Sequence, residues 1–166
     1  MKAQFKVNIN VKDMYTFLMN NTYRKFSGII WIVFSLTVVG IAIYTWGDVK
    51  LVNSILLIVL ASLYTVIHPI ILWLKAKAQI KNNDYFKQTL DYTADSKGIK
   101  VSQGEESTMI KWDEMWKAVR YGGDVVVYVS TIRAFILPIR CMGDQYNNFV
   151  EAATQGLGSK CRLRKK

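Results

Sequence analysis

The sequence predicts a membrane α+β protein: a two-helix transmembrane hairpin joined to a small antiparallel sheet or open barrel closed by a C-terminal helix. Three observations predict it. Two long stretches carry no Asp, Glu, Lys or Arg. The segments around them alternate apolar and polar residues. The last ordered segment places apolar residues at helical spacing.

Residues 28–46 and 51–74 are the charge-free stretches. At ~1.5 Å of rise per residue they reach about 28 Å and 36 Å, enough for a hydrocarbon core of ~30 Å. A chain of 166 residues cannot cover two helices that are apolar all round, so they are not read as a soluble core. The polar first 27 residues, with no small-residue cleavage site after the apolar run, argue against a signal peptide. Trp31, Tyr44, Trp46 and Trp73 stand where interfacial aromatics anchor a span. Arg24 and Lys25 precede the first span, Lys75 and Lys77 follow the second, and Asp48 and Lys50 cancel between them. The positive-inside bias then places both termini in the cytoplasm.

The N-terminal arm, residues 1–27, alternates Phe5, Val7, Ile9 and Val11 with polar residues, the period of a half-buried strand. Asp13 is placed to cap a short helix after it. One strand is not stable by itself, so the arm is expected to add to the C-terminal sheet. In residues 76–157, strands are expected at 85–93, 99–101, 108–112, 116–121, 125–129 and 133–137. Asp95-Ser96-Lys97-Gly98 and Gly122-Gly123 supply the turns, and Pro138 marks an edge. A helix starts at Asp144, with Tyr146, Phe149, Val150 and Ala153 on one face and Gly156 at its stop. Residues 158–166 form a basic tail.

These features resemble the YcxB-like family of bacterial membrane proteins. The resemblance lies in the strand–helix arm, the hairpin and the runs Tyr92-Thr93-Ala94-Asp95-Ser96-Lys97-Gly98-Ile99, Ile110-Lys111-Trp112-Asp113-Glu114-Met115 and Phe135-Ile136-Leu137-Pro138-Ile139-Arg140. Ile139 separates proline and base where the family usually has them adjacent. The resemblance implies a C-terminal domain related to bacterial pleckstrin-homology (PH-like) domains and a multi-pass protein of the bacterial cytoplasmic membrane. It implies no established reaction. A related group of bacterial proteins includes self-immunity proteins against membrane-active bacteriocins.

Candidate sites are sparse. Net charge is +10, but residues 76–159 hold ten bases and ten acids, so a general nucleic-acid surface is not expected. The excess sits on the hairpin flanks and in the tail. Arg24, Lys25, Lys75, Lys77, Lys160, Arg162, Arg164, Lys165 and Lys166 are therefore the candidates for anionic lipid headgroups. His68 is ionisable within a span and adjoins Pro69, which frees a backbone carbonyl that a polar side chain can help to satisfy. Trp112, Trp116, Tyr121 and Tyr128 either fill a small core or line a groove. The carboxylate pairs Glu105/Glu106 and Asp113/Glu114 are adjacent on the chain, so in strands they point to opposite faces. Cys141 and Cys161 have no metal-ligand spacing, and no nucleophile, phosphate or zinc motif is present, so no cofactor is expected.

The expectation is a non-enzymatic membrane protein whose PH-like domain binds a protein or lipid partner at the bilayer. The alternatives are immunity against a membrane-active bacteriocin or toxin, and a small transporter or channel subunit.

Overall fold

A computed structural model describes residues 2–83, 86, 88–131 and 133–165. The chain divides into two units, Met1–Phe17 with Gln79–Lys166, and Leu18–Ala78.

The first unit contains helices and two antiparallel-based sheets. Strand β1 (Ala3–Val7) pairs with β2 (Leu90–Ala94), and β3 (Gly98–Gln103) and β4 (Glu106–Lys111) complete a four-stranded meander. Ala3, Phe5 and Val7 turn inward and the residues between them outward, as their alternation requires. Phe5 lies opposite Tyr92, so the N-terminal strand and the later sheet share one register. The second sheet runs β7-β6-β5-β8, with β5 (Lys117–Tyr121), β6 (Asp124–Tyr128), β7 (Ala134–Pro138) and the two-residue β8 (Cys161–Arg162). Gly122, at φ 58°, turns β5 into β6. Pro138 sits on the edge strand, where a missing N–H breaks no ladder.

Both sheets face one core. Phe5 stacks on Tyr92 at 6.0 Å, Tyr92 meets Phe135 edge-on at 6.0 Å, and Phe149 meets Phe5 at 5.8 Å. Phe149 comes from the amphipathic helix that closes the unit, Tyr146–Leu157, with Tyr146, Val150 and Ala153 also buried. This helix ends one residue later than the sequence suggests. Gly158, at φ 55°, follows it, whereas Gly156 lies flat against the Trp112 ring, where a Cβ would collide. The Trp112 indole N–H donates to the Asp95 carbonyl at 2.7 Å, which fixes the ring under that helix.

Several expected strands shift. The strand expected at 85–93 begins at Leu90, and Tyr85 and Lys87 lie outside the described residues. The strand expected at 108–112 ends at Lys111, because Trp112–Glu114 form a 3-10 turn. The tail is not a free end: β8 pairs in parallel with β5, and Leu163 is buried.

The second unit is a helical hairpin. Helices Phe26–Tyr44 and Leu51–Asn82 are long and apolar enough to cross a membrane by length and composition. Ser35, Ala42, Ser54 and Ala61, small or polar, share the buried positions with Val38 and Leu72. The Ser35 hydroxyl donates to the Ala61 carbonyl at 2.7 Å. Small residues permit this close approach of the two helices. Among the described residues, every exposed large hydrophobic except Met109 and Trp116 lies between Phe26 and Leu74.

Candidate functional site

The first helix of the chain, α1 (Val11–Tyr23), starts from a reciprocal cap. The Asp13 backbone N–H donates to the Asn10 side chain at 3.0 Å, and the Asn10 N–H donates to the Asp13 carboxylate at 2.8 Å. Asn10 is therefore the capping residue, and Asp13 is the third helical position, one role removed from the sequence reading. This holds the Asp13 carboxylate at the helix start, only 5% exposed.

A base reaches it from far along the chain. Pro138 ends β7, Ile139 is buried, and the short helix α2 of this unit (Ile139–Met142) turns Arg140 toward α1. Its two terminal nitrogens each donate to one Asp13 oxygen at 2.8 Å, and one also donates to the Asn8 carbonyl at 2.9 Å. This fork-on-carboxylate geometry raises the Arg140 pKa further, chiefly through the hydrogen bond to Asp13.

Asp124 lies close by. It opens β6 and shares a strand face with Val126 and Tyr128 by the two-residue period. Those two pack with Val119 and Phe17 of α1, so α1 covers the face on which Asp124 stands. Asp124 is 5% exposed. Burial pushes its pKa up to about 6, the Asp13 charge adds to the rise, and Arg140 and Lys12 oppose it. Beside it opens a cleft of about 1100 Å³ lined by both signs of charge: Lys12, Arg120 and Arg140 with Asp13, Asp124 and Asp144. A carboxyl group titrating near 6 in such a cleft can exchange protons or accept a cation at neutral pH.

The residues singled out from the sequence fall elsewhere. Arg24, Lys25, Lys75 and Lys77 are exposed beside the apolar helices. Lys160 and Arg162 are exposed at the end of the domain. The Arg164 carbonyl accepts the Tyr146 hydroxyl at 2.9 Å, and Lys165 pairs with Glu151 at 2.7 Å, which lowers the Glu151 pKa. Lys166 lies outside the described residues.

His68 and Pro69 adjoin a π-helical turn, Leu63–Ile67. The His68 N–H reaches back to the Leu63 carbonyl, which leaves the Tyr64 carbonyl to accept the Tyr23 hydroxyl at 2.7 Å. With that proton committed, Tyr23 accepts from His68 Nδ1 at 3.2 Å, and the His68 ring stacks on Tyr64 at 5.1 Å. These contacts belong to repair of a perturbed helix.

Trp112 and Tyr128 are buried core residues, while Trp116 is half exposed, with Lys117 4.6 Å above its ring. Burial, aided by a hydrogen bond with Tyr121, raises the Tyr128 pKa. Of the paired carboxylates, Glu114 accepts the Lys111 N–H at 3.3 Å. No cluster of three metal-ligating side chains occurs among the described residues.

Sequence reasoning missed the Asp13–Arg140–Asp124 group because its members come from three distant segments. One local signal was present: an acid opening the strand Asp124-Val125-Val126-Val127-Tyr128, which is otherwise apolar throughout.

Residues 94–153 match the model of the family described as YcxB-like protein. The curated Uncharacterized protein YcxB of Bacillus subtilis (strain 168) is 27% identical over 86 residues, 52% of this chain and 46% of that protein. The match thus spans about half the length of that relative. No solved structure matches the chain.

Proposed function

The chain is a member of the YcxB-like family through residues 94–153, and from that premise we propose that it is a non-enzymatic, multi-pass protein of the bacterial cytoplasmic membrane. Both termini are cytoplasmic, and the sheet-and-helix unit is a PH-like module that binds a protein or lipid partner at the bilayer.

The observation that carries this reading is the distribution of exposed apolar surface. Leu36, Ile43, Leu51 and Val52 are each more than 60% exposed on the two long helices. A surface of that size is unfavourable in water and ordinary in hydrocarbon. The PH-like reading draws support from a four-stranded meander, then three consecutive antiparallel strands, then one amphipathic helix. The exposed bases of the hairpin flanks and of the last segment face anionic headgroups, each contributing ~1 kcal/mol near the surface.

Carbonate extraction and protease protection of the full chain test the topology. The protein is expected to stay in the membrane, with its C-terminal segment cut only from the cytoplasmic side. Release by carbonate refutes the insertion. Replacing Lys160, Arg162 and Arg164 with Gln is expected to reduce co-purifying anionic lipid in native mass spectrometry, and unchanged lipid refutes the headgroup role.

A further inference from the structure

We propose that the cleft beside Asp124 is a binding site for a small dipolar ligand, its primary ammonium on Asp124 and its anionic group toward Lys12 and Arg120. A carboxylate largely withdrawn from water is costly to keep charged unless a counter-charge reaches it. Asp124 is only 5% exposed, and it lines the cleft wall. Arg140 directs three of its five N–H donors to Asp13 and the Asn8 carbonyl, so its charge is committed mainly to Asp13.

The cleft's remaining charges select the ligand. A bare cation reaching Asp124 also meets Lys12, Arg120 and Arg140. A bare anion reaching those bases meets Asp13, Asp124 and Asp144. A ligand carrying both charges satisfies both sets. Arg120, which lines the cleft, is held by its Nε, which donates to the Gly122 carbonyl at 3.0 Å and leaves its terminal nitrogens out of that bond. The Asp124 carboxyl is charged enough to hold an ammonium only above its pKa of about 6. The other titratable groups facing it, Lys12, Asp13, Arg120, Arg140, Asp144 and Tyr146, line the same cleft. This site does not depend on whether the basic flanks hold lipid.

The ligand chemistry fits a free aminoalkyl phosphate or an ethanolamine lipid headgroup. The test uses the full chain in detergent micelles, with phosphoethanolamine, ethanolamine and inorganic phosphate as separate probes in calorimetry. Phosphoethanolamine is expected to bind at least tenfold more tightly than either half-ligand at pH 7.5, and to weaken about tenfold per pH unit below pH 6. Asp124→Asn, checked as folded by its near-UV spectrum, is expected to lose at least tenfold. Arg120→Gln is expected to weaken phosphoethanolamine but not ethanolamine. Equal binding by folded Asp124→Asn, equal binding of either half-ligand, or no binding at all overturns the proposal. Nanodiscs then identify the source. If phosphatidylethanolamine, but not phosphatidylcholine, blocks the free probe, the ligand is the headgroup. If neither blocks it, the ligand is soluble.

Discussion

Removal of Arg140 is the sharpest single perturbation of the domain. The Asp13 side chain is 7% exposed and holds both Arg140 nitrogens at 2.8 Å, while the arginine itself is 48% exposed. Breaking a fully buried pair costs ~3–5 kcal/mol because a charge is stranded. Solvent reaches the arginine side here, so Arg140→Ala is expected to cost about 2 kcal/mol. For a unit of this size that corresponds to roughly 10 °C in melting temperature. The assay is thermal unfolding of the full chain in detergent, followed by near-UV circular dichroism, to which the buried Trp112 contributes. The double variant with Asp13→Asn should recover at least 1 kcal/mol of coupling, since neither charge is then left alone. Asp124 supplies a second readout with opposite signs. Arg140 lowers its pKa and Asp13 raises it. Arg140→Ala should therefore move the Asp124 titration above 6, and Asp13→Asn should move it below. Additive stabilities, or pKa shifts of the same sign in both variants, refute the electrostatic account.

Three further outcomes follow from the same geometry. Asp124 binds its proton more tightly folded, with a pKa of about 6, than unfolded, near the ordinary 3.8. Folding stability therefore falls as pH rises from 4 through 6, and the penalty is complete above that. Asp124→Asn should stabilise the domain by about 3 kcal/mol at pH 7.5 and by less than about 1 kcal/mol at pH 4, measured in denaturant. Gly156→Ala drives a methyl into the Trp112 ring, which should cost about 2 kcal/mol and shift Trp fluorescence to the red. Tyr23→Phe leaves the Tyr64 carbonyl without its donor. It should cost about 1 kcal/mol of hairpin stability in detergent while leaving the near-UV spectrum of the sheet domain intact.

Local order was readable from residues, and tertiary chemistry was not. The charge-free runs, the alternation through Phe5 and Val7, and the Gly122-Gly123 turn each encode their element within a few positions. Boundaries slipped where a long-range contact decides them. Gly156 reads as a helix stop but is required by the Trp112 ring, 44 positions earlier in the chain. The Asp13 side chain reads as a cap but is shared between Asn10 and Arg140, which lies 127 positions away. Asp124 carries no motif beyond its place at the head of an apolar strand. Its character comes from α1 lying over β6, which no spacing along the chain records. The basic tail was legible as charge, but not as the strand and ion pair that tie it down.

The pairing of β1 with β2 also has a timetable. Ala3 lies opposite Ala94, so the first strand is complete about ninety residues before its partner leaves the ribosome. At ~5–20 residues per second that is a wait of roughly 5–20 s. Both apolar helices emerge in the interval, while Phe5, Val7 and Met14 have nothing to cover them. The nascent arm is therefore a natural client for a holding chaperone. Slowing synthesis across residues 18–78 would lengthen its exposure without altering a single native contact.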